Sequence, residues 1–131
     1  MGTKARAIRS DAAPKPVGPY SQAVAHGGLL FLSGQVPLDP ATGALVTGEI
    51  EAQTERVIAN LRAVLEAAGA SLDHVVRTTV YLADLGLFAR MNAVYGRHFS
   101  SDPKPARSTI QAARLPLGAA IEIDAIAILD G

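Results

Sequence analysis

The segment Ile121-Glu122-Ile123-Asp124-Ala125-Ile126-Ala127-Ile128-Leu129 narrows the available folds more than any other stretch of this chain. Successive side chains of a strand point to opposite faces. Ile121, Ile123, Ala125, Ala127 and Leu129 therefore share one face, and Glu122, Asp124, Ile126 and Ile128 share the other. The first face is wholly apolar and belongs beneath a covering layer. The second is acidic at one end and apolar at the other. A one-residue slip would exchange the two faces, so the register of this strand is strongly specified.

The covering layer is legible upstream. Ile50, Thr54, Val57, Ile58, Leu61, Val64, Leu65 and Ala68 recur at helical spacing, with Thr47 as the expected cap, Glu49 and Glu51 in the first turn and Gly69 as the stop. Asp84 caps a second expected helix carrying Leu85, Phe88, Met91, Tyr95 and Phe99 on one face. Strands are expected at residues 4–8, at Tyr20–His26 and Leu29–Ser33 around a Gly27-Gly28 hairpin turn, and at Leu72–Leu82, 106–111 and 119–129. Between the first two strands, residues 11–19 form a rigid loop with prolines at 14, 16 and 19. The order is strands, helix, strand, helix, strands, which predicts an α+β or α/β two-layer sandwich. Two helices cover only one side of such a sheet. The apolar end at Ile126 and Ile128 therefore predicts a partner subunit on the other side.

A chain of 131 residues fits one domain, taken as 1–131, and its 49% apolar and 18% charged content is that of a globular protein. Twelve basic residues balance twelve acidic ones, which gives no electrostatic drive toward nucleic acid. The chain has no cysteine, so disulfides, thiolate ligands and a thiol nucleophile are excluded. His26, His74 and His98 show no metal-ligand spacing. Neither a phosphate-cradling glycine loop nor a Gly-x-Ser-x-Gly elbow occurs. Without a signal-peptide pattern or a run of ~20 apolar residues, the expectation is a soluble cytoplasmic protein with no membrane partner.

Chemistry must then rest on a few side chains. Arg107 follows Pro105-Ala106, and its rigid fork of donors matches a carboxylate. Glu122, between two isoleucines, has either an ion-pair partner (Arg77, Arg107 or Arg114) or a partly desolvated carboxyl with a raised pKa. Were adjacent strands to bring the two together in a cleft, they would suit proton transfer on a small carboxylate. Asn92 lies on the apolar stripe of the second helix, where its amide is either a structural cap or a ligand contact. Tyr20 follows Gly18-Pro19 and is a core residue or a cleft hydroxyl. Ser33-Gly34-Gln35 ends a strand on a glycine, which permits a bulge or a close ligand approach.

Taken together, Gly18-Pro19-Tyr20-Ser21-Gln22-Ala23, Ser33-Gly34-Gln35-Val36-Pro37, Asn60-Leu61 with Ala67-Ala68-Gly69, Thr78-Thr79-Val80-Tyr81-Leu82, and Pro105-Ala106-Arg107 through Leu115-Pro116 to Ile121-Glu122-Ile123-Asp124-Ala125 resemble the RidA/YjgF family over residues 14–128. The resemblance implies a chorismate-mutase-like fold, a mixed six-stranded sheet on two helices, and a homotrimer with clefts between subunits. It also implies cofactor-independent 2-iminobutanoate/2-iminopropanoate deaminase activity, which hydrolyses 2-imino acids and enamines to 2-keto acids and ammonia. Carried onto this sequence, Arg107 clamps the substrate carboxylate and Glu122 positions or protonates through the attacking water. Tyr20, Ser33, Gly34, Asn92 and Thr109 line the pocket, Thr109 standing where some members carry cysteine. A carboxylate-binding module without activity is the alternative on the same trimer, and a ribonuclease is a third.

Overall fold

The structure, a computed structural model, describes residues 4–129. Six strands form one mixed sheet in the order β1-β2-β3-β6-β4-β5. The elements run β1 (Arg6–Ile8), β2 (Ala23–His26), β3 (Leu29–Gln35), α1 (Ile50–Ala67), β4 (Val75–Leu82), α2 (Phe88–His98), β5 (Ala106–Gln111) and β6 (Ile121–Ile128). Among the described strands only β4 and β5 pair in parallel, and α2 makes the crossover between them. The β2–β3 turn uses Gly27 and Gly28 at φ of 61° and 80°, a conformation that glycine adopts without a Cβ penalty.

Both helices lie on one face of the sheet. Ile50, Val57, Ile58, Leu61, Val64 and Leu65 of α1 and Met91 and Val94 of α2 are buried against Val80 and Leu82 of β4 and Ile121, Ile123, Ala125 and Ala127 of β6. The helix-facing set of β6 is thus the one its alternation dictates. α1 ends where Gly69, at φ 79°, lets its own N–H reach the Glu66 carbonyl and that of Ala70 reach Leu65.

The helix starts differ from the sequence expectation. α1 begins at Ile50 with Glu49 as its cap residue, because Gly48 at φ 106° turns the chain between Thr47 and the first helical turn. Asp84 accepts from the Gly86 N–H and caps a short 3₁₀ turn at Leu85–Leu87, which leads into α2. Residues Leu72–His74 are likewise a 3₁₀ turn, so β4 starts at Val75, and β2 starts at Ala23 instead of Tyr20.

Among the described residues no helix covers the opposite face of the sheet. Phe31 is 45% exposed and pairs with Ile126, while Leu29 pairs with Ile128, itself 45% exposed. The polar end of the same face carries Glu122 and Asp124, across from Tyr81 and Thr79. No helix among the described residues is long and apolar enough to cross a membrane.

Candidate functional site: two half-sites on opposite faces

On the open face, the β3–β6 pairing shifts register between Leu32 and Gln35, and Ser33 and Gly34 occupy the bulge. Ser33 donates its hydroxyl to the Ser21 carbonyl at 2.6 Å and its N–H to Gln22 at 3.0 Å. Of the alternatives read at this point in the sequence, the bulge is present, and it presents Gly34 to a side chain. A Cβ at Gly34 would overlap the Glu122 carboxylate, which lies directly over it.

Among the described residues Glu122 has no ion-pair partner. Arg77 donates to the Ser108 hydroxyl at 2.8 Å, and Arg107 is on the other face of the sheet. Burial pushes the Glu122 carboxyl above its usual range, and the charge of Asp124 adds to the shift. Asp124 itself accepts from the Tyr81 hydroxyl at 3.0 Å.

Glu122 opens into a cleft of about 410 Å³ whose walls include Tyr20, Gly34, Val36, Leu38 and Leu117. Tyr20 is 51% exposed at its rim, so it is a cleft residue and not core. The loop that carries Tyr20 is pinned by the buried Gln22 amide, which donates to the carbonyls of Ser10 and Pro14 and accepts from the Ser10 N–H. On the other wall, Asn60 of α1 donates to the carbonyls of Val36 and Leu38. Leu117 is the one non-glycine among the described residues at positive φ, 60°, and it is 67% exposed. This conformation costs a leucine about 1–2 kcal/mol.

The second half-site lies on the helix side of edge strand β5. Arg107 is paired in register with Thr78, whose side chain points under α2, and Thr109 is paired with Val80 on the same side. The Arg107 guanidinium lies 4.7 Å from the Tyr95 ring centroid and 5.5 Å from that of Phe88. No carboxylate among the described residues pairs with it. Beside it, Asn92 carries a buried Oδ1 with no hydrogen-bond partner. These groups border a shallow recess of about 270 Å³ that also holds Lys104 and Pro105.

The expected convergence of Arg107 and Glu122 within one subunit is therefore incorrect. Strand β4 stands between β5 and β6, and the two side chains leave opposite faces of the sheet. The candidate residues divide cleanly, with Tyr20, Ser33, Gly34 and Glu122 on the open face and Asn92, Arg107 and Thr109 on the helix side. Sequence reasoning missed Leu117 and treated Phe88 and Tyr95 as core. The latter pair was visible as an aromatic stripe at helical spacing, whereas positive φ at a leucine has no sequence signal. Among the described residues no group of His, Asp and Glu side chains is arranged to hold a metal ion.

The profile of the Endoribonuclease L-PSP family matches residues 10–129. The chain belongs to the RidA/L-PSP family. It is 58% identical over 125 residues to Protein DfrA of Myxococcus xanthus, covering 94% of this chain and 95% of that one. It is 47% identical over 126 residues to the chloroplastic Reactive Intermediate Deaminase A of Arabidopsis thaliana, covering 96% of this chain and 67% of that one. The solved structure of a Rid-family protein, YyfA from Yersinia pestis, superposes with a TM-score of 0.94 at 40% identity, covering 96% of this chain and all (100%) of that one. The family resemblance drawn from the five sequence blocks is thereby borne out, and the Rid-family sheet of six strands on two helices is the fold described above.

Proposed function

We propose that this Rid-family chain hydrolyses reactive 2-imino acids and their enamine tautomers, such as 2-iminobutanoate, 2-iminopropanoate and 2-aminoacrylate, to 2-keto acids and ammonia in the cytoplasm. The observation that carries the reading is the separation of the two half-sites. An arginine free of acidic partners faces one way, and a carboxyl with a raised pKa faces the other. A second copy closing over the bare sheet face would set the Arg107 half of one subunit against the Glu122 half of its neighbour. We assign the assembly as a homotrimer, with one such composite cleft at each interface. The 47% identity to a plant protein named Reactive Intermediate Deaminase A supports the reaction type.

In that cleft Arg107 grips the substrate carboxylate in bidentate fashion, leaving C2 beside Glu122. An enamine first takes a proton at C3 to become the imine. Water then forms its O–C bond at C2 while the π pair of C=N moves to nitrogen. Glu122 accepts a proton from the water and returns it to nitrogen, giving the carbinolamine; it then carries the carbinolamine hydroxyl proton to nitrogen as the C–N bond breaks, so that ammonia leaves as the carbonyl forms. Imines hydrolyse in water unaided, so orientation and a proton shuttle are sufficient help. Asn92 borders the same recess as Arg107 and forms part of the pocket wall.

The test couples the protein to a threonine dehydratase and follows 2-ketobutyrate release. Wild type accelerates the release; Arg107→Ala and Glu122→Ala do not. Refolding those two inactive variants together restores about a quarter of wild-type activity, because random assembly leaves that share of interfaces with both halves intact. No recovery sinks the composite cleft. A carboxylate-binding role without catalysis is the second reading, favoured by the completeness of the Arg107 half-site, and it is adopted if 2-ketobutyrate binds but release is not accelerated. The nuclease named in the family's description finds little support in a chain with zero net charge.

A further inference from the structure

Arg107 sits on an edge strand, where a long side chain has many rotamers available. A carboxylate clamp placed there needs its fork aimed, and aiming it with an acidic neighbour would consume the donors and cancel the charge the ligand needs. The structure uses aromatic faces instead. The guanidinium lies 4.7 Å from the Tyr95 centroid and 5.5 Å from that of Phe88. A ring face attracts the cation without bringing an acid that would cancel its charge.

Tyr95 is itself immobilised from two sides. Its hydroxyl shares a 2.7 Å hydrogen bond with Thr78, which is fully buried and is the register partner of Arg107. Its ring stacks on Phe99 with centroids 4.4 Å apart and planes 26° apart. The backbone position of Arg107 and the orientation of the ring beneath it are therefore fixed by one residue, Thr78. Phe88 is 39% exposed at the start of α2 with its ring centroid 5.5 Å from the guanidinium, so core burial does not account for its place.

We infer that Tyr95 and Phe88 are positioning residues that hold the Arg107 fork toward the cleft for carboxylate recognition, with Thr78 setting the ring of Tyr95. This rests on reading Arg107 as the carboxylate clamp. Neither aromatic residue touches the reacting atoms; both act through the guanidinium.

The distinguishing measurement compares two ligands, 2-ketobutyrate and its neutral amide, 2-ketobutyramide, by calorimetry on the assembled protein. Loss of the ring in Tyr95→Leu is expected to weaken the acid about tenfold and the amide less than about twofold, on the scale of a desolvated cation–π contact. Phe88→Leu is expected to weaken the acid about threefold, again sparing the amide. Tyr95→Phe keeps the ring and should hold the acid-to-amide ratio within about twofold of wild type. Should Tyr95→Leu fail to fold, the exposed Phe88 position and the Tyr95→Phe ratio decide the matter. Equal weakening of acid and amide, or no weakening of either in Phe88→Leu, overturns the inference while Arg107→Ala still abolishes acid binding. Failure of the wild-type protein to bind 2-ketobutyrate at all overturns the clamp reading instead, and the inference falls with it.

Discussion

Gly34 is the support on which the Glu122 carboxylate rests, and it leaves no room for a Cβ. Adding one methyl displaces the far end of a flexible side chain, which folding tolerates, but it moves the carboxyl proposed to handle the proton. Gly34→Ala is thus expected to lower kcat at least about tenfold while shifting Tm by less than about 2 °C, measured by the coupled assay and thermal melts. Glu122 carries the opposite balance. Its pKa in the folded chain is raised above the ordinary 4.5 by burial and by Asp124. Between those two values the native chain holds a proton that the unfolded chain has lost, so stability falls as pH rises through that window and the loss is complete above it. Glu122→Gln should melt with wild type below pH 4.5 and above it at neutral pH. Coincident melting curves at every pH would refute a desolvated carboxyl. The identity of these residues was readable in the sequence, because an acid between isoleucines and a glycine after Ser33 are conspicuous. Their facing was not. Alternation fixes sides within β6, but β5 reads Arg107-Ser108-Thr109, polar on both faces, and only its parallel register with β4 decides which way the arginine points.

Among the elements, α1 does more than cover the sheet. Asn60 is fully buried in a helix face that is apolar apart from it and Thr54, with its Oδ1 accepting from Arg56 at 3.1 Å and its Nδ2 donating to two carbonyls of the loop after β3. That loop walls the Glu122 cleft, so a helix residue sets the shape of a site on the far side of the sheet. Asn60→Ala leaves the Leu38 carbonyl without its donor, while the Val36 carbonyl keeps the Leu38 N–H, and is expected to cost about 1–3 kcal/mol in urea unfolding. An unchanged urea midpoint would show that water replaces the amide. The helices and the hairpin were legible because they follow from one-residue rules: apolar spacing for α1, positive-φ glycines for the β2–β3 turn and for the end of α1. The start of α1 was misplaced at Thr47 because a good capping residue was present, while the turn at Gly48 that moves it out of position depends on where the loop must go next. Leu117 escaped for a related reason, since its left-handed conformation is imposed by the path from β5 to β6 and not by its own preference.

At the level of the whole molecule, one sheet face is sealed by helices and the other is left with Phe31, Leu29 and Ile128 in solvent. The alternation of β6 foretold that asymmetry, and the proposed trimer is its simplest resolution. Phe31→Asp places a charge in the centre of the patch without touching either half-site. It is expected to yield a folded monomer by analytical ultracentrifugation, with deaminase activity reduced at least about a hundredfold. A trimer that persists with full activity would locate the subunit contact elsewhere. Under the proposed composite cleft, a sheet that shows its acid to one side and its arginine to the other cannot act on a molecule held by a lone copy. Newly made chains would stay idle until they meet, so output would climb faster than abundance, and a cell that dilutes the protein would lose the activity before it loses the polypeptide.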